Sequence, residues 1–280
     1  MNRLRYFAAM LGSVLMLNGN AATAERRALT QATTLTVMTL NAAHGRGTSI
    51  HQSFVPDGRH RENLDQIVTL MQREKPAIVA LQEVDGVCNW SGDFDHVNYL
   101  RDAADYSDAV RVDLVSRPGR QHGIALIGAM PFEDVDEVRF RKATVATPKG
   151  FVVSTVNWPG EKQLEVDVVS VHLEAFRPGL RRRQVEAMID YLEKRERPMI
   201  VMGDMNTGWE GRHRVLQKLT TELGLQAFEP GNSRHVSLPS LGRRLDWILI
   251  SEPLQFVRYD TLSESVSDHR AVVAEIALAH

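Results

Sequence analysis

The chain has 280 residues, of which 43% are hydrophobic and 24% charged, with a formal net charge of −2. This composition excludes a disordered chain, a collagen-like repeat and a polytopic membrane protein, and the length allows a substantial core. The single cysteine, Cys88, excludes an intrachain disulfide and a cysteine-based zinc site.

The N-terminus reads as an export segment. Asn2-Arg3-Leu4-Arg5 is positive, Tyr6 to Leu17 is apolar, and Ala22-Thr23-Ala24 has the small-x-small form of a cleavage site, predicting a signal peptide over 1–24 cut after Ala24. The apolar run is shorter than the roughly 20 residues a membrane span needs, which favours a cleaved signal over a retained anchor. Removing its two arginines from the chain's 33 basic residues leaves 31 against 35 acids, a net −4. The expected mature protein is periplasmic or secreted, without stable membrane insertion and without an overall basic footprint for nucleic acid.

With no repeat and no Pro/Gly-rich linker, the rest reads as one domain over 29–280. In chain order, apolar β-branched runs predict strands at Leu35–Leu40, Ala77–Leu81, Ile124–Ile127, Phe151–Val156, Val166–Val171, Met199–Met202, Trp247–Ile250 and Ala271–Ile276. Leu64, Ile67, Val68 and Met71 form a helical stripe that stops before Pro76, and Val185, Met188, Ile189 and Leu192 form another before Pro198. A third helix is expected over Arg212 to Leu223, stopped by Gly224. Strands interleaved with helices indicate a layered α/β domain.

Acids, amides and histidines recur at the strand ends. Asn41 follows the first run and Gln82-Glu83 the second; His172 ends the Val166 run, and Gly203-Asp204-Met205-Asn206 follows Met202. Asp246 opens the Trp247 run and Ser267-Asp268-His269 precedes the last. Each has an ordinary alternative: a turn, a strand cap, or a salt bridge from Asp246 to Arg243 or Arg244. Together they describe one cleft.

The segments Thr39-Leu40-Asn41, Leu81-Gln82-Glu83, Ser170-Val171-His172-Leu173, Gly203-Asp204-Met205-Asn206, Arg244-Leu245-Asp246 and Ser267-Asp268-His269 resemble, in order, the endonuclease/exonuclease/phosphatase superfamily. The resemblance implies a four-layer α/β sandwich with two central mixed β-sheets and a phosphoesterase site at one rim. It implies Glu83 as principal ligand of Mg²⁺ or Mn²⁺, with Asp268 and Asn41 completing or supporting the metal site. Asp204 would orient or deprotonate water and Asn206 position it or the phosphate. His172 and His269 would donate to phosphoryl oxygens, one of them as general acid, and Asp246 would orient His269. Where some nuclease members carry an acid two residues after the first Asn, this chain has Ala43, which shifts weight to Glu83 and Asp268. Asn41-Ala42-Ala43-His44-Gly45-Arg46-Gly47 and Leu81-Gln82-Glu83-Val84-Asp85 are similar to exported bacterial members.

His44 either touches substrate or lies in a solvated loop. Arg177 and Arg181-Arg182-Arg183 form either a cationic rim for phosphate or a solvated helix face with an Arg182–Glu186 pair. Trp209 either stacks on a base or headgroup or packs its own loop, whereas Trp247 belongs to the core. The expected substrate is a phosphate ester. Nucleic acid comes first, with a phospholipid, sphingomyelin or glycosylphosphatidylinositol headgroup as the alternative and a non-enzymatic effector last. No protein partner is inferable.

Overall fold

The computed structural model describes residues 34–56, 58–141, 147–161 and 163–279; the expected signal peptide lies outside them. Twelve strands form two six-stranded mixed sheets. The first has the order β11-β12-β1-β2-β4-β3, from Leu254–Thr261, Val272–Leu278, Thr34–Asn41, Ile78–Asp85, Arg120–Gly128 and Asp108–Arg117. The second has the order β5-β6-β7-β8-β10-β9, from Glu133–Arg139, Gly150–Asn157, Glu165–His172, Met199–Asp204, Asp246–Ser251 and Leu225–Ala227. Four α-helices, α1 (Arg59–Glu74), α2 (His96–Ala103), α3 (Pro178–Leu192) and α4 (Val215–Glu222), complete the described regular structure together with short 3-10 turns.

Three apolar clusters explain the layering. Val37, Ile78, Leu126, Val152, Val168, Ile200 and Ile248 join the facing surfaces of the two sheets. Leu64, Ile67 and Met71 bury the predicted stripe of α1 against the outer face of the first sheet, beside Met38 and Leu81. Val185, Met188, Leu192 and Leu219 do the same for α3 and α4 against the second. Each of these buried aliphatic side chains contributes about 1.5–3 kcal/mol relative to exposure. The result is the four-layer α/β sandwich expected from sequence.

The third expected helix is shorter than the periodicity suggests. Arg212–Arg214 forms a 3-10 turn, His213 and Arg214 take positive φ, and only Val215–Glu222 is α-helical. Pro76 ends α1 as expected, with Lys75 in the left-handed region at the cap.

Register sets up one rim. At the centre of each sheet two strands run parallel: β1 beside β2, with Asn41 opposite Gln82, and β7 beside β8, with His172 opposite Asp204. Antiparallel β10 places Asp246 opposite Asp204 on the other side. The two sheets are tied near this rim by polar contacts: Gln82 Nε2 donates to Ser170 Oγ (3.2 Å), which donates to the Leu81 carbonyl (3.2 Å).

Candidate active site

The Gly203-Asp204-Met205-Asn206 turn has a physical reason at each position. Gly203 has φ +147° and lies so close to β7 that a Cβ would fall 2.0 Å from the Val171 carbonyl oxygen. Met205 is buried in the helix-facing core and anchors the turn. Asn206 takes the left-handed region (φ 52°), which asparagine tolerates better than most residues. Its backbone N–H donates to Asp204 Oδ1 (2.8 Å) and its Nδ2 to the Leu173 carbonyl (2.9 Å).

Asp204 is the hub. Its Oδ2 accepts from Asn41 Nδ2 at 3.0 Å and lies 3.5 Å from His172 Nε2 and 4.0 Å from His269 Nε2. Burial, reinforced by the nearby Asp246 carboxylate, pushes the Asp204 carboxyl up to about 7. His269 is held from behind, its Nδ1–H donating to Asp246 Oδ2 at 2.7 Å. Burial opposes the imidazolium, but Asp246 outweighs it and raises His269 to about 10. Ser237 Oγ accepts from the backbone N–H groups of Leu245 and Asp246, fixing the strand start that carries this carboxylate.

Across the rim, Glu83 sits in a register shift of β2 with φ 50°, and its carboxylate faces the pocket with 27% of the side chain exposed. Burial opposes its ionisation, yet His44, His172, Lys149 and Arg46 together hold it down to about 2. Asp268, also at the pocket, pairs with Arg46 at 2.6 Å. The pocket has a volume of about 490 Å³, and Asn41, His44, Glu83, His172, Asp204, Asn206, Asp268 and His269 all line it. Asp246 lies beneath it, fully buried.

The structure gives the other expected residues these surroundings. Asn41 is stretched between two neighbours: its Oδ1 accepts from the Ala43 N–H (3.0 Å) while its Nδ2 holds Asp204. It thereby positions Asp204 while lining the same pocket as Glu83 and Asp268. His172 carries Lys149 against its ring, with Nζ 2.6 Å from Nε2. Burial and that ammonium lower the His172 pKa well below its usual value, which favours the neutral ring with one N–H to donate. Trp209 lies outside the pocket lining and packs on Trp247, ring centroids 6.2 Å apart. Arg244, next to the Asp246 strand, is buried over the Trp247 ring at 3.8 Å and donates to the Phe228 carbonyl. Arg177 does line the pocket, at the N-cap of α3. Arg181 leaves the expected solvated face to bond the Glu174 and Ala175 carbonyls, whereas Arg182 pairs with Glu186 at 3.8 Å.

Sequence reasoning assigned no role to Lys149, Asp85, Trp90, Arg120 or His122. Lys149 follows Pro148 in a loop with no pattern to mark it. Asp85, by contrast, sits two residues after Glu83 at the end of the same strand, a position the polar-strand-end signal already covered.

Among the described residues, Asp204, Asp246 and His269 bring ligand atoms within 4.8 Å of one another. That proximity follows from the Asp246–His269 hydrogen bond and the pairing of Asp204 with Asp246 across the sheet.

The two-sheet α/β sandwich thus gathers acids and imidazoles at one rim. Residues 38–269 match the profile of the Endonuclease/Exonuclease/phosphatase family, and the chain belongs to that family. Its members are hydrolases of phosphate esters. No curated protein matches the chain by sequence. Among solved structures, it is similar to an endonuclease/exonuclease/phosphatase from Beutenbergia cavernae DSM 12333, at 19% identity over 88% of this chain and 72% of that one, TM-score 0.68. The human Nocturnin catalytic domain with bound sulfate anion aligns at 18% identity over 89% of this chain and 96% of that one, TM-score 0.67. A mannosyl-6-phosphatase from Bacteroides thetaiotaomicron VPI-5482 aligns at 15% identity over 87% and 100%, TM-score 0.64.

Proposed function

We propose that this chain is an exported, divalent-metal-dependent phosphodiesterase that cleaves its substrate by direct in-line attack of water. The observation that carries the reading is convergence. Glu83, Asp268 and His269 from the first sheet and its connections meet His172 and Asp204 from the second on one pocket, with Asp246 buried behind His269.

The donor set suits a hard divalent ion. Glu83 is anionic, faces the pocket and is surrounded by positive charge, and Asp268 lines the same pocket. Two carboxylates are what a Mg²⁺-type site takes from a protein, the remaining positions going to water and substrate oxygens. Glu83 and Asp268 would hold the ion, which when bound neutralises phosphoryl charge and makes water more acidic.

The chain's own groups divide the remaining work. Asp204, with a carboxyl close to neutrality in its affinity for protons, takes a proton from the attacking water. Asn41 and the Asn206 N–H hold that carboxylate in place. His269, locked by Asp246, presents Nε2–H to the phosphoryl group and supplies the proton for the departing oxygen as the P–O bond breaks. Lys149 adds a positive charge to the same wall. Water exchanges for the leaving alcohol at phosphorus, with no covalent enzyme intermediate.

Nucleic acid is the first substrate class, with Arg120, Lys149 and Arg177 lining the pocket as candidate phosphate contacts. A second reading, a phospholipid headgroup, is favoured by Phe176, which lines the pocket yet is 89% exposed. Supercoiled-plasmid nicking and headgroup release from phospholipid vesicles, each with Mg²⁺ and with Mn²⁺, test the two. Metal-dependent nicking supports the first, release only from vesicles the second, and inactivity in both assays and on small phosphodiesters overturns the proposal.

A further inference from the structure

At the centre of the second sheet β7 and β8 end side by side at the rim, His172 opposite Asp204. Each then feeds a helix that starts at that rim, α3 after β7 and α4 after β8. The connections and first turns of these helices, residues 175–186 and 205–218, hold seven Lys and Arg against two acids, Glu186 and Glu210. The whole chain has 33 Lys and Arg against 35 acids. Salt limits the reach of exposed charges to about 8–10 Å, so a local excess acts on a ligand whatever the sign of the whole chain.

Ion pairs do not consume this excess. Arg182 pairs with Glu186 at 3.8 Å and Lys218 with Glu222 at 3.5 Å, while Glu210 accepts from Gln217. The exposed side chains of Arg183, Arg212 and Arg214 have no ion pair or hydrogen bond among the described residues.

The corner is held in place by its own contacts. Arg212–Arg214 forms a 3-10 turn packed on both α3 and α4. The Arg214 N–H donates to the Gly211 carbonyl and the Gly211 N–H to the Gly208 carbonyl, both at 2.9 Å. A Cβ on Gly211 would fall 1.9 Å from Thr207 Oγ1, and Trp209 ties the same loop to Trp247. None of the three turn residues is buried, yet His213 and Arg214 hold left-handed backbone, with φ of 68° and 45°. That conformation costs free energy, which no core contact of these side chains offsets. On the pocket side, Arg181 bonds the Glu174 and Ala175 carbonyls and so fixes the loop carrying Phe176 and Arg177, both of which line the pocket. The cationic surface is therefore continuous with the pocket.

We propose that this corner is a docking surface for nucleic acid, its cations holding the phosphates that lead away from the scissile one. The inference rests on the nucleic-acid reading given above and goes beyond it in placing the backbone contact outside the pocket. Phosphate contacts of this kind supply affinity and position without reading sequence. A lipid surface, the other occupant to consider, needs an apolar face to enter the bilayer. At this corner Phe176 is the one exposed large hydrophobic among the described residues, and a single exposed ring beside cations suits stacking on a base.

The test compares Arg212→Gln/Arg214→Asn, asparagine suiting the left-handed backbone, with Arg212→Lys/Arg214→Lys, each checked by a thermal melt. The substrates are supercoiled plasmid and bis(p-nitrophenyl) phosphate. Binding without turnover uses a fluorescein-labelled DNA duplex titrated at several salt concentrations, on an Asp204→Asn background. The neutral pair is expected to lower duplex affinity by roughly tenfold and to make the slope of log K against log salt shallower by about 2. Its kcat/KM for nicking should fall by about tenfold relative to that for the small diester, while the lysine pair keeps the wild-type slope. Duplex affinity and slope left at wild-type values by the neutral pair overturn the proposal. So does loss of binding to phosphatidylglycerol vesicles with duplex binding intact, which makes the occupant a lipid surface. A wild type that turns over the small diester but neither binds duplex nor nicks plasmid overturns the docking surface alone. One inert on both substrates overturns the phosphoesterase reading, and the docking surface with it.

Discussion

His269 Nδ1 and Asp246 Oδ2 are 2.7 Å apart, and the aspartate lies wholly buried beneath the pocket that the imidazole faces. The contact fixes the ring so that Nε2 faces Asp204 and the space a phosphoryl group would enter. Asp246→Asn keeps the shape and removes the charge. It is expected to lower kcat by about 10²–10⁴-fold, the usual scale of a positioned proton donor. The His269 pKa should fall from about 10 towards its ordinary 6.5, followed by NMR titration of the ring. A ring that still titrates near 10 in the variant would contradict the assignment.

The same contact predicts a pH dependence of stability. His269 binds its proton more tightly in the folded chain than in the unfolded one, so its contribution is fully present below about 6.5 and is lost as pH rises through about 10. Wild-type stability relative to Asp246→Asn, measured by thermal melts, should therefore shrink between these values. Asp204 has the same sign at lower pH. Its carboxyl is raised from 3.8 to about 7, so the folded state loses stability as pH rises between those values. Asp204→Asn should accordingly gain stability relative to wild type over that interval, and a constant difference would contradict the burial argument.

Gly203→Ala tests the turn itself. An added Cβ would fall 2.0 Å from the Val171 carbonyl oxygen in the paired strand, at a φ of +147° that alanine avoids. Destabilisation of at least about 2 kcal/mol is expected by urea titration. A loss of less than about 0.5 kcal/mol would mean that β7 and β8 can separate there, and with them His172 and Asp204.

Much of this architecture was legible in the sequence because the central strands are buried on both faces. Val166–Val171 and Met199–Met202 read as continuous apolar runs for that reason. The four missed strands, β3, β5, β9 and β11, are the edges of the two sheets. Glu133–Arg139 is almost wholly exposed and acidic, and Asp108–Arg117 and Leu254–Thr261 are only partly buried, so none presents an apolar run. The polar ends of central strands marked Glu83, His172 and Asp204 directly. Between the two alternatives for Trp209 the sequence could not choose, because an aromatic close to a site residue packs just as readily on a core partner, here Trp247.

Lys149 was beyond sequence reasoning, since its role arises from strand register: it directly precedes Gly150, which pairs with His172 across β6 and β7. Its ammonium lies against the His172 ring, and burial lowers its own pKa despite nearby Glu83, Asp204 and Glu174. Lys149→Met should raise the pKa of His172 by removing the neighbouring charge and lower kcat/KM by about tenfold or more. NMR titration of His172 and steady-state kinetics check the two halves of that statement. An unchanged His172 pKa would remove Lys149 from the account.

Turnover of bis(p-nitrophenyl) phosphate by wild type, Asp204→Asn and His269→Asn, with Mn²⁺ and with Mg²⁺ and on protein whose melts confirm folding, decides whether this pocket is a hydrolytic centre. Metal-dependent hydrolysis by the wild type is expected, with a loss of about 10³-fold or more in kcat in each variant. Folded variants that retain turnover within tenfold of wild type would contradict it.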